Sequence, residues 1–96
     1  MKVGTVLRHI THKDLLVLVK KTGRSTIQCE VIPSFDLDPA ATSWDDLVKL
    51  PGMGVYKLLQ HNVRGHKTNP VIELRLSRLN RSWKVDKVGT ILYGQK

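Results

Sequence analysis

Cysteine, aromatic side chains and acidic residues are all scarce in this chain of 96 residues. The single cysteine, Cys29, cannot close an internal disulfide, which excludes a disulfide-stapled scaffold. It suits a reducing compartment, and a cytoplasmic location is expected. Without a second cysteine, a cysteine-based zinc site is excluded as well. The aromatic residues are Phe35, Trp44, Tyr56, Trp83 and Tyr93. They are too sparse for a row of exposed base-stacking rings, so Trp44 and Trp83 are expected to anchor the core. The longest apolar run, Leu15 to Val19, falls far short of the roughly 20 residues that span a bilayer. Lys2, then Val-Gly-Thr-Val-Leu, then Arg8 and His9 make no signal-peptide pattern.

What the chain does have is apolar content and positive charge. A hydrophobic fraction of 41% supports a packed fold rather than disorder, and the length predicts one domain over residues 1–96. The net charge is +8. Residues 1–29 carry Lys2, Arg8, Lys13, Lys20, Lys21 and Arg24 against Asp14 alone, and residues 47–96 carry ten basic residues against Glu73 and Asp86. Between them lie Glu30, Asp36, Asp38, Asp45 and Asp46, with no Lys or Arg. A basic surface of this kind favours a polyanion: DNA, RNA or an acidic protein.

Patterning predicts an α+β fold: a small antiparallel sheet made of N- and C-terminal hairpins, with a central short helical pair. Val3 to Arg8 reads as a strand. Asp14 to Lys21 reads as a strand through Val17 and Val19, although Thr11-x-x-Asp14 and Gly23 would also cap a helix there. Thr22-Gly23-Arg24-Ser25 makes a turn into Ser25–Ile32, where Thr26, Gln28 and Glu30 alternate with Ile27, Cys29 and Val31. Lys20, Lys21 and Arg24 would crowd that hairpin tip. Pro33 to Thr42 reads as a loop, with Asp36 and Asp38 forming turns rather than a Mg²⁺ site. Val71 to Leu79 has two readings. As a strand it would form a hairpin through Asn80-Arg81-Ser82 into Trp83–Val85. As a helix it would start from Asn69 and Pro70 and spread Arg75, Arg78 and Arg81 over one broad face. The strand is favoured. Val88 to Tyr93 is expected to close the sheet, and Lys87 to Leu92 (KVGTIL) echoes Lys2 to Leu7 (KVGTVL).

The stretch Ser43 to Gln60 gathers the most local signals. Ser43 can cap a helix over Trp44 to Leu50, with Asp45 and Asp46 in its first turn. Pro51-Gly52-Met53-Gly54 reads as a tight turn, and Val55 to Gln60 as the start of a second helix. The run Leu47-x-x-Leu50-Pro51-Gly52-Met53-Gly54 resembles the helix-hairpin-helix motif of DNA-binding proteins. The resemblance covers Leu47 to His61. It implies phosphate binding by the backbone N–H groups of Gly52, Met53 and Gly54, with Lys57 close by. Leu58 and His61 depart from the family's small and aliphatic residues at their positions.

Catalytic constellations are thin. His9 and His12 are three apart, but on a strand they would face opposite sides, which spoils chelation. His61 and His66, flanking Arg64 and preceding Lys67, have the residue types of a compact, toxin-like RNase. The leading expectation is a non-enzymatic DNA- or RNA-binding protein that contacts phosphates, with no cofactor and no metal. Its candidate residues are Gly52, Met53, Gly54, Lys57, Lys20, Lys21, Arg24, Arg64, Lys67, Arg75, Arg78 and Arg81. The alternatives are a phage or mobile-element accessory protein that docks on an acidic protein or nucleoprotein complex, and the RNase.

Overall fold

The computed structural model describes residues 2–50 and 56–86. Its strands are β1 (Val6–His9), β2 (Leu16–Thr22), β3 (Thr26–Ile32), β4 (Lys57–Gln60), β5 (Val71–Arg75) and β6 (Trp83–Val85). All pairings are antiparallel, in the order β4-β5-β3-β2-β1-β6. Two short helices, α1 (Trp44–Leu47) and α2 (Leu79–Ser82), complete the described fold with 3-10 turns at Val63–Gly65 and Leu76–Arg78. The chain is thus mostly sheet with a little helix, which agrees with the α+β class in its coarse form.

The β2–β3 hairpin forms as its alternation predicts. Ile27, Cys29 and Val31 are buried while Thr26, Gln28 and Glu30 are half-exposed. A register shift between Val19 and Lys21 bulges Lys20 out of the ladder. On one face of the sheet lies the main core, built from Leu7, Val17, Val19, Ile27, Cys29, Val31, Ile72, Leu74, Leu79 and Trp83. On the other face Val6, Leu18 and Ile32 bury a second, smaller cluster, consistent with alternating side-chain direction along β2.

The sheet is strongly coiled. Among the described residues β4 and β6 are its two edges, and a flat sheet of this width would hold them roughly 24 Å apart at about 4.8 Å per strand. Instead Trp83, which starts β6, donates from its indole Nε1 to the hydroxyl of Tyr56, one residue before β4, at 2.8 Å. The sheet therefore wraps around the main core like a barrel. α1, capped by Ser43 accepting from the Asp46 N–H, buries Leu47 fully, and half-buried Trp44 and, beyond the helix, Leu50 pack against the main core. Trp83 is 3% exposed, so of the two indoles it is the fully buried anchor.

Three expectations are corrected. Lys57–Gln60 is a strand, not a helix. It pairs Lys57 with Glu73 and Leu58 with Ile72, and Leu58 packs on the core. A helix of a few residues has little stability of its own, so strand pairing and burial decide the conformation. This removes the second helix that the helix-hairpin-helix resemblance requires. Second, β5 and β6 form no hairpin. After Arg75 the chain turns helical, buried Leu79 draws it onto the core, and it reaches β6 on the far side of β1. Residues 71–82 thus divide between the two readings, strand first and helical turns after. Third, β1 starts at Val6, because Gly4 is held in a turn with φ of 93° and donates to the Val19 carbonyl. The expected turn at Pro51–Gly54 and the strand at Val88–Tyr93 lie outside the described residues.

Candidate nucleic-acid interface

The strand registers decide which cations meet. Thr22 pairs with Ile27, Thr26 with Arg75, and Lys57 with Glu73, so the β2–β3 tip, the end of β5 and the start of β4 lie at one end of the sheet. The Leu76 N–H donates to the Ser25 carbonyl at 2.9 Å, fastening the turn after β5 to the hairpin tip. At this end a cavity of about 500 Å³ is lined by Tyr56, Lys57, Glu73, Leu74, Arg75, Arg78, Leu79, Arg81, Ser82 and Trp83.

Four of its lining residues are cations: Lys57, Arg75, Arg78 and Arg81, all exposed. The arginines stand at every third position in the sequence, and with the chain helical after Arg75 all three line the cavity. None of the four has an ion-pair partner among the described residues. Glu73 is the single acid among the described lining residues, opposite Lys57 in register and half-buried. Unpaired guanidinium groups around a concavity are able to hold an anion, because each planar fork presents several N–H donors with no competing carboxylate bound to it.

The other candidates distribute unevenly. Lys21 and Arg24 are exposed at the adjoining hairpin tip. Lys20 is tied to Glu30 at 3.9 Å. Arg64 and Lys67 sit in the β4–β5 loop, at the opposite end of those strands from the cavity. That loop is shaped by reciprocal bonds, Asn62 N–H to Thr68 Oγ1 at 2.8 Å and Thr68 N–H to Asn62 Oδ1 at 3.1 Å. Gly52, Met53 and Gly54 lie outside the described residues.

Tyr56, Glu73 and Ser82 escaped the sequence reading as site residues. Lys57 and Glu73 are far apart in the chain, and only the β4–β5 register brings them together. The one local signal was the arginine spacing, which the helical reading of this segment carried and the strand reading discarded.

The histidines fall in two places, His9 and His12 at the end of β1, and His61 and His66 between β4 and β5. His9, 3% exposed, accepts at Nδ1 from the N–H groups of Thr11 and His12 and packs edge-on against Trp83 with ring centroids 4.9 Å apart. Burial, and next the neighbouring His12, lower its pKa from the ordinary value near 6.5. His66 is exposed on the β4–β5 loop, and His61 lies half-buried just after β4. Among the described residues no group of three or more potential metal ligands comes together. Among them, too, no helix is long and apolar enough to cross a membrane. The chain matches no protein-family model, no curated protein and no solved structure.

Proposed function

We propose that this protein binds nucleic acid without acting on it covalently, and that the cavity between β4, β5 and α2 receives the phosphate backbone. The observation that carries this reading is the convergence of Lys57, Arg75, Arg78 and Arg81 on one cavity, unpaired, beside the exposed Lys21 and Arg24. The three arginines come from one segment, Arg75 to Arg81, and the β4–β5 pairing adds Lys57 from elsewhere in the chain. Phosphate-directed binding of this kind is sequence-tolerant and strongly salt-dependent. The test is the affinity for random-sequence DNA and RNA over a range of salt, with an Arg75→Ala, Arg78→Ala, Arg81→Ala variant alongside. A log-log decline with salt that flattens in the variant supports the reading. Affinity independent of salt, or equal in the variant, overturns it.

A second reading, an accessory protein that docks on another protein, draws on Phe35. That ring is 99% exposed on the bridged turn Ser34–Leu37, next to exposed Asp36. An isolated apolar ring held out by a closed turn is a suitable anchor for a protein pocket. Loss of a protein partner on Phe35→Ser, with nucleic-acid affinity intact, would favour this reading over the first.

A further inference from the structure

Glu73 is out of place in a cavity meant for phosphate alone. It is the one acid in the lining, and although Lys57 stands opposite it in register, it forms no ion pair among the described residues. An ionised carboxylate there repels a phosphate and opposes the work of the cations around it. It also accepts hydrogen bonds and donates none. Of the donors a base offers, an exocyclic amino group suits it best, because the ring N–H of uracil or thymine lies between two carbonyl oxygens that repel a carboxylate. Cytosine, adenine and guanine each carry one, and uracil and thymine carry none.

Space and the neighbouring ring agree with this. The cavity, at about 500 Å³, falls within the roughly 300–1,000 Å³ of small-molecule sites, enough for one nucleotide and too confined for a duplex. Tyr56 forms part of the wall, and the bond from Trp83 Nε1 to its hydroxyl holds its ring in place. A fixed aromatic ring of this kind is a surface on which an unpaired base can stack. In a duplex the bases are already stacked on one another, and much of their amino hydrogen bonding is spent within the pairs.

Resting on the phosphate-binding reading above, we propose that the cavity takes one unpaired nucleotide of a single strand. The arginines hold its phosphate, and Glu73 accepts from the amino group of its base. Glu73 is then a specificity-determining residue that selects amino-bearing bases over uracil.

The experiment compares the affinities of short C and U single-stranded RNA homopolymers and of a duplex of matched length, at one salt concentration and neutral pH. It uses the wild-type protein, Glu73→Gln and Glu73→Ala, with a thermal melt of each variant to establish folding. The C strand should bind about tenfold more tightly than the U strand, the size of one good base contact, and more tightly than the duplex. In Glu73→Gln the C-to-U ratio should collapse towards one, because an amide both donates and accepts and serves either base. Total affinity should rise with the removal of the negative charge. Glu73→Ala should lose the ratio too. Equal binding of C, U and duplex by the wild type overturns this inference and leaves phosphate binding standing. A C preference retained in both folded variants overturns the role of Glu73. Absence of salt-dependent binding to any of the three overturns the inference together with the reading beneath it.

Discussion

The indole N–H of Trp83 donates to the hydroxyl of Tyr56 at 2.8 Å, joining residues that begin or adjoin strands at opposite edges of the sheet. The bond closes the coiled sheet beside the cavity, and both rings line that cavity. Fold and candidate site therefore share a part, and changes at this pair should be read out in both stability and binding.

Tyr56→Phe should remove the acceptor and leave a buried indole N–H unpaired. The expected cost is about 1–3 kcal/mol, measured by denaturant unfolding. Trp83→Ala should cost more, about 3–5 kcal/mol, because it also empties a core position that His9 and Tyr56 pack against. If Tyr56→Phe and wild type have the same unfolding midpoint, the bond contributes nothing to closure.

The cations should separate by location. Replacing Arg75, Arg78 and Arg81 with Ala should lower the salt slope by about 0.7–0.9 for each phosphate that is no longer neutralised. Reversing Lys21 and Arg24 to Glu should weaken binding to all sequences alike, as the hairpin tip adjoins the same end of the sheet. Arg64→Ala and Lys67→Ala, at the other end, should leave affinity within about twofold, the scale of an exposed charge far from the bound strand. A slope that falls as much in the loop variants as in the cavity variant would move the interface to the loop.

Protonation of His9 should destabilise the fold. Its folded pKa lies below the ordinary 6.5 through burial and then the nearby His12. Between the two values the unfolded chain binds more protons, so stability is fully present above about 6.5 and falls as pH drops towards the folded pKa. The geometry agrees, since a protonated Nδ1 would face the N–H groups of Thr11 and His12 that it now accepts from. His9→Asn can accept the same two amides without titrating, and its melting temperature should fall less with acid than the wild type's. Parallel declines would show that other groups carry the acid sensitivity.

Cys29 should be chemically silent in the native protein. It is fully buried in β3, and burial pushes its thiol up to about 12. Thiol reagents attack the thiolate, so labelling at mildly alkaline pH should wait for unfolding and follow its rate. Fast labelling of the folded protein would contradict its placement in the core.

What the amino-acid order settled by itself was local. The alternation from Thr26 to Val31 specified a strand and its buried face, since a shift of one residue would turn Ile27, Cys29 and Val31 to solvent. Thr22 to Ser25 specified the turn, and Ser43 with Asp46 specified where α1 begins. The basic character of the surface and the use of Trp83 as an anchor were legible in the same way. Each of these depends on neighbours a few residues away.

Tertiary structure decided the rest, because the groups that settled it are distant in the chain. Lys57 to Gln60 has no strong preference of its own, and it became a strand because β5 offered an edge and the core offered a place for Leu58. The segment after Arg75 turned helical rather than forming a hairpin because Leu79 found the main core, which carried Trp83 across to β1. Those two long-range choices brought Lys57 and Glu73 into register, set three arginines around one cavity and put Arg64 and Lys67 at the other end of the sheet. The charge and the spacing of the three arginines were written in the sequence; bringing Lys57 and Glu73 together beside them depended on a pairing between residues far apart along the chain, which no local pattern encodes.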